Sequence, residues 1–488
     1  MYYYTPLVVF TVCLIVSYSG TAVFSQNKNT ILEEGEQFPG GKATSRKSVS
    51  NSNAFSHASA NMGFRKELNF KVGNGVFRKI WVSAPASTKA SDGLGPLYNA
   101  KTCQRCHIKD GRGHPPKANW PDDDAVSMLM RLSIPPQNDK QKALIASGKA
   151  NAIPDPIYGG QLQDLSIQGH EAEGKIRIKY TDKKVTLSDG EVVTLRKPEY
   201  QITHTGYGKL HKDIRLSPRV APQMIGLGLL EAIEEKDIKA NTDPDDKNND
   251  GISGKMNSNW SHVHNRLMVG RFGWKAGMPT IKDQTAAAFA GDMGLSTKHH
   301  PNGAGDCTAA QDRCAKAPDG NSQKYNNAEV GDQMLDLVTF YSQNLAVPRR
   351  RNPSDAEVLK GKALFHQSGC ATCHRPSYKT GNMPKQPHLS AQKIWPYTDL
   401  LLHDMGEGLA DNSPEGQANG REWRTAPLWG IGLTKVVNGH TFFLHDGRAR
   451  SIKEAILWHE GEAIKSRDRF IALSKKEREQ LIAFVKSL

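Results

Sequence analysis

The chain has 488 residues, 38% of them apolar and 23% charged. That is enough for two or three domains with cores of their own, and too polar for a protein sunk in a bilayer. Lys and Arg number 64 against 50 Asp and Glu, a formal charge of +14. No nucleic-acid fold motif and no dense basic stripe goes with that charge, so nucleic acid is excluded as a partner. The excess reads as a solvated basic surface, with steering of an acidic partner or peripheral contact with an anionic membrane surface as the functional alternative.

In chain order, the one strongly apolar run is Leu7–Val16. It is too short to span a bilayer and reads as the core of a secretory signal over 1–25, with Val23-Phe24-Ser25 as the cleavage point. No Lys or Arg precedes the run, so an uncleaved anchor is the alternative; Cys13 lacks the small neighbours of a lipoprotein signal. Residues 26 to about 62 are rich in Ser, Asn, Gly and Lys and read as a flexible lead or wrapping arm, within an N-terminal arm extending to 90. The stretch 175–203 alternates apolar and polar residues around Ser188-Asp189-Gly190, which predicts a β-hairpin or small sheet. Residues 221–233 read as a helix, and 326–348 as an amphipathic helix stopped by Pro348. A helix beginning near Asp355 runs into GCATCH, and 474–488 is a closing helix with Ser474 and Glu477 as a capping box.

Seven cysteines divide cleanly. Cys103-Gln-Arg-Cys106-His107 and Cys370-Ala-Thr-Cys373-His374 are two Cys-x-x-Cys-His motifs. In that pentapeptide the two thiols add to haem vinyl groups and the adjacent His binds the iron. A zinc site would need further ligands close by, and a thioredoxin-type dithiol leaves both histidines unexplained. Cys13 goes with the signal, so Cys307 and Cys314 remain; in an exported protein they read as a disulfide, with a reactive dithiol as the alternative. The predicted architecture is mainly α. It has two cytochrome-c-like haem domains, 91–348 and 349–488, the first with a large insertion at about 115–255 that contains the hairpin.

Five stretches carry a resemblance: GPLYNAKTCQRCHIKDGRG (95–113), SPRVAPQMIGLGLLEAI (217–233), GRFGWKAGMPTIKDQTAAAFAGDMG (270–294), YTDLLLHDMGEGLAD (397–411) and 421–463. From about Gly93 on, the chain resembles the di-haem oxidoreductase family of peroxidase-type proteins, sometimes labelled thiol oxidoreductase-like. That family is related to bacterial di-haem cytochrome c peroxidases and to the di-haem enzyme that matures methylamine dehydrogenase. The resemblance implies two covalently bound haems c, with His107 and His374 as proximal ligands. In the wider superfamily the second haem domain has R-T-P, then H-D-G, then a helix ending on the sixth iron ligand, Met or Tyr. Here these are Arg424-Thr425-Ala426-Pro427, His445-Asp446-Gly447 and Ser451–Ile456, reaching His459, with Met405 and His403 as competitors. The first domain's parallel stretch aligns Trp274 with the Trp between the haems. It also aligns Gln284 with a Gln, and Asp292 with the Glu that moves protons on peroxide; Lys275-Ala276-Gly277 departs from its D-G-R.

The two stretches also align with one another. Thr280-Ile281-Lys282-Asp283 matches Ser451-Ile452-Lys453-Glu454, which sets Ala288 opposite His459. This predicts an open first iron and a closed second one, unless the insertion brings His114 or His204 to the first. Asp246, Asn248 and Asp250 begin a candidate calcium loop that lacks its closing Glu; an Asx-rich turn is the alternative. The functional expectation is a periplasmic or otherwise exported di-haem peroxidase-like enzyme. Hydrogen peroxide would be reduced at the first haem, with electrons arriving from a small cytochrome or copper protein through the second haem and Trp274. The alternatives are a pure electron carrier, or an oxygen-activating enzyme on an organic or protein substrate.

Overall fold

The computed structural model describes residues 1–2, 31–47 and 50–488. The leader expected over 1–25, Cys13 included, lies outside the described residues apart from its first two. Two helix pairs organise the rest. The helix Phe64–Phe77 packs on Asp332–Gln343, and Ala356–Gln367 packs on Lys475–Ser487. Both crossings are made at a glycine: a Cβ on Gly73 would strike the carbonyl of Leu337, and one on Gly361 the carbonyl of Gln480. The backbones can therefore approach more closely than any side chain would allow. Aromatic rings fill the space beside each crossing, Phe70 on Tyr341 at 4.7 Å and Phe365 on Phe484 at 5.3 Å. Local chemistry sets the ends. Asp355 accepts from the amides of Glu357 and Val358, and Ser474 and Glu477 form the expected capping box.

The expectation of a mainly α protein made of two cytochrome-c-like domains is not met. Helix makes up 29% and strand 18%, and the strands of the described residues lie in seven two-stranded sheets. The segment after the first Cys-x-x-Cys-His explains the difference. Met128–Ser133 pairs antiparallel with Arg215–Val220 over six residues, so Met128, Met130 and Leu132 enter the core while Leu129 and Arg131 turn the other way. That is a period of two, which an all-helical module cannot use. The helix expected over 221–233 shrinks to Leu227–Glu231. Gly226 before it sits at φ +72°, and Gly228 lies against the carbonyl of Gln343, so the chain turns where a longer helix would run.

The hairpin does form: Lys175–Thr186 pairs with Val192–Thr203 around a turn with Gly190 at φ +83°. It follows the first motif in sequence but lies on the second half of the molecule. Ile176, Ile178 and Leu195 share a core with Trp458, Phe470 and Phe484. The Tyr200 hydroxyl donates to Asp446 at 2.7 Å, and Arg196 donates to the carbonyls of Arg448 and Gly447.

The N-terminal arm is fastened by one buried carboxylate. Glu36, with no exposed surface, accepts from Arg350 at 2.5 Å, from Lys362 at 2.7 Å and from the Tyr397 hydroxyl at 2.7 Å. Burial pushes its pKa up, but Arg350 and Lys362 outweigh that and hold it below the usual range. Glu36→Ala leaves two buried cations without their anion and should cost about 3–5 kcal/mol in denaturant unfolding at neutral pH. Because the folded pKa is the lower one, the carboxylate's contribution is full above the ordinary Glu range. It is lost as pH falls through the depressed value, so the gap between wild type and variant should close in acid.

Candidate haem centres

Each Cys-x-x-Cys-His opens onto a cavity, about 230 Å³ for the first and about 200 Å³ for the second. The motif cysteines Cys103, Cys106, Cys370 and Cys373 are all unpaired. Burial pushes the thiols of Cys103 and Cys370 up to about 12, so they stay neutral and are poor metal-ligating thiolates. Both histidines are held alike. His107 Nδ1 donates to the Pro222 carbonyl and His374 Nδ1 to the Tyr397 carbonyl, each at 2.9 Å. The acceptor fixes the tautomer and leaves Nε2 as the lone-pair nitrogen in the cavity. Burial holds both imidazoles down at about 4, hence neutral.

The two cavities meet at one wall. Arg112, Gln223, Trp274, Arg424, Ala426 and Pro427 line both. Trp274 is fixed there by Nε1–H donating to the Val220 carbonyl at 2.9 Å, and the Arg112 guanidinium lies 5.3 Å from its ring. Neither Arg112 nor Arg424 forms an ion pair with a carboxylate among the described residues. Burial pulls both down to about 10, and the Nε of Arg112 has no partner at all. His445 in the second cavity is likewise buried with Nε2 unpartnered, stacked on Trp423 at 3.7 Å. Buried cations without anions are costly. Two haems, whose propionates are anionic acceptors, would fit these orphaned donors, the neutral thiols and the free imidazole nitrogens together.

Both matched segments start on a hydroxyl cap and reach a cavity. The helix Ile281–Met293 starts on Thr280, whose hydroxyl accepts from the Asp283 amide; Ile452–Leu457 starts on Ser451, which accepts from Glu454. The first helix presents Gln284, Ala288 and Asp292 to the first cavity, and the second delivers Ile456 and His459 to the second. His459 donates Nδ1–H to the Ala455 carbonyl at 2.7 Å, the same device that fixes His374. Met405 lines the same cavity. His403 is there too, but both its nitrogens are taken, by Asp399 at 2.8 Å and Glu462 at 2.7 Å. Burial opposes its charge, yet the Cys373 sulfur and the two carboxylates raise its pKa well above the usual range. An imidazolium has no lone pair for iron. The same contacts account for the one close grouping of metal-type side chains among the described residues, Cys373, Asp399 and His403. His114 and His204 do not line the first cavity; His114 bonds the Pro115 carbonyl and His204 is exposed beside Trp120.

Two residues at the first cavity, one behind Asp292 and one in the lining, were not legible in the sequence. Gln161, 1% exposed, donates to Asp292 Oδ1 at 2.9 Å and so aims that carboxylate. Burial raises the Asp292 pKa, against Arg131 and the Gln161 hydrogen bond. Glu415 also lines the cavity, but it is ion-paired with Arg219 and held low. Arg131 and Arg219 come from the Met128–Ser133 and Arg215–Val220 ladder, whose alternation in MLMRLS was the available signal. Elsewhere, Cys307 and Cys314 are joined as a disulfide, with Cα atoms 5.9 Å apart. In the Asp246–Asp250 loop the carboxylates accept from their own backbone, Asp246 from Gly251 and Asp250 from Ile252. The Asp250 contact is an Asx turn, and the Asp246 contact spans five residues of the loop.

With haem bound, His459→Ala should convert the second iron from low to high spin, read by electron paramagnetic resonance. Met405→Leu should leave it low spin. The reverse result would make Met405 the ligand.

A search of the curated proteins found no match to this chain. A family model described as "Di-haem oxidoreductase, putative peroxidase" matches residues 35–488. That span takes in both Cys-x-x-Cys-His cavities, the wall between them and the Glu36 anchor, and the chain belongs to this di-haem oxidoreductase family.

Proposed function

We propose that this oxidoreductase reduces hydrogen peroxide at its first haem with electrons delivered through its second. Two haems c would be held as thioethers on Cys103 and Cys106 and on Cys370 and Cys373, with His107 and His374 as proximal ligands. The observation that carries the reading is the asymmetry of two matching helices: His459 with a free nitrogen in one cavity, the methyl of Ala288 in the other. An iron with one protein ligand has a vacant position for a small oxidant, whereas one with two shuttles electrons. Haem, when bound, supplies the redox chemistry; the residues around it supply position and protons.

Peroxide reduction consumes two electrons and two protons per molecule and yields two waters. Asp292 is the carboxylate of the first cavity that is not committed to a cation. Held by Gln161, it takes the proton from the near peroxide oxygen and returns it to the far one, so that oxygen leaves as water rather than hydroxide. Glu415 cannot do this while Arg219 neutralises it. Trp274 occupies the wall between the cavities, and its fixed indole is the aromatic bridge for electrons. The free cations Arg112 and Arg424 face both cavities and would anchor the propionates.

The disulfide Cys307–Cys314 and the attachment chemistry suit an exported protein in an oxidising compartment, with a small cytochrome or copper protein as donor. The deciding measurement is electron paramagnetic resonance of the haem-loaded protein, oxidised and half-reduced. One high-spin and one low-spin iron in either state supports the enzyme; two low-spin irons in both states assigns an electron carrier instead. Asp292→Asn should leave both haem spectra intact and slow peroxide reduction about 10²–10⁴-fold. Because Asp292 must be ionised and its pKa is raised, the acid limb of kcat/KM against pH should lie above the ordinary Asp range. Gln161→Leu removes a hydrogen bond to the charged form and should move that limb further up.

A further inference from the structure

The helix Phe64–Phe77 is apolar on two opposite sides. Phe70, Gly73 and Phe77 face inward and pack on the Asp332–Gln343 helix. Phe64, Leu68 and Val72, one turn apart each, face outward at 77%, 47% and 53% exposure. Just past the helix, Ile80 at 65% and Val82 at 38% are exposed as well. Five of the fifteen exposed large apolar side chains of the described residues thus fall in one 19-residue segment, 64–82. Scattered exposed apolar residues need no explanation, but a contiguous stripe does.

Its charge says what kind of surface would cover it. The segment carries Arg65, Lys66, Lys71, Arg78 and Lys79 against Glu67 alone, and Glu67 is already paired with Lys71. Arg65, Lys71 and Arg78 are exposed beside the stripe. A second copy docked face to face would set these cations against their own counterparts, which disfavours self-association. A layer of anionic headgroups over acyl chains accommodates both features at once, the cations at headgroup level and the apolar stripe just beneath. No helix among the described residues is long and apolar enough to cross a membrane, so the contact would lie along the surface.

From this we infer that the face formed by Phe64, Leu68, Val72 and Ile80, with its basic rim, seats the protein on an anionic lipid surface. The inference is independent of the peroxidase reading. Ile80 also lines a pocket with Thr102 and with Arg105 of the first Cys-x-x-Cys-His motif, so the seated protein would turn that flank toward the bilayer.

The test uses the full chain with Val72→Cys carrying an environment-sensitive fluorophore, mixed with vesicles of phosphatidylglycerol and phosphatidylcholine or of phosphatidylcholine alone. The expected result is a blue-shifted, brighter emission on the anionic vesicles, reversed by salt and absent on the neutral ones. Leu68→Glu in the same background should weaken binding by roughly tenfold or more without altering the melting temperature. A fluorophore that stays in water on anionic vesicles overturns the inference, including the case where only the Leu7–Val16 run tethers the chain. An equal shift with polyglutamate would assign the face to an acidic protein, and a concentration-dependent shift without vesicles to a second copy; either overturns it.

Discussion

Two imidazoles pinned to main-chain carbonyls are the constraint on which the rest of this molecule depends. His107 is aimed by Pro222 and His374 by Tyr397, and neither could present Nε2 to a cavity if its carbonyl moved. Each carbonyl is in turn secured by its surroundings. Next to Pro222, Ala221 accepts from the Gly113 amide and Met224 donates to the Asp110 carbonyl. Tyr397 is held through its hydroxyl by Glu36, and so by the Arg350 and Lys362 cations that neutralise Glu36. The N-terminal arm is thus part of the second centre's support, reaching His374 through a buried ion cluster and one main-chain oxygen.

A repeated element with one changed residue underlies the asymmetry on which the proposed function rests. The helices starting at Ile281 and Ile452 share a hydroxyl N-cap, and each segment brings residues to a cavity. Ala288 and His459 differ by one imidazole, and that imidazole is oriented by its own helix through the Ala455 carbonyl. His403, nearer in sequence to the second motif, is disqualified by its neighbours: two carboxylates convert a potential ligand into a cation. In the proposed centre, what separates His459 from His403 is which nitrogens are already occupied, not which histidine is close.

The buried charges of the interior follow a similar logic. Lys275, with no exposed surface, is matched by Asp411 at 2.8 Å and lies 4.4 Å from the Trp423 ring; Arg219 is matched by Glu415. These pairs are internally complete. Arg112 and Arg424 are not, and they are the cations on the wall between the cavities. The contrast separates charges matched by a carboxylate from charges held only by main-chain carbonyls.

The sequence by itself determined what depends on neighbours along the chain. The two Cys-x-x-Cys-His motifs, the capped helices before and after the second of them, the hairpin around Asp189-Gly190, the matching N-caps of Thr280 and Ser451 and the family resemblance are all written in short windows, because capping, turn geometry and thiol spacing act over a few residues. Only the tertiary structure decided the rest. It replaced a mainly α architecture with a mixed one, since the Met128–Ser133 ladder needs a partner strand more than eighty residues away. It laid the hairpin of the first half over the second. It set Gln161 on Asp292 across 131 residues and silenced Glu415 with Arg219 across 196. Such contacts form between surfaces brought together by burial of the whole core, and no local pattern specifies which polar groups then meet.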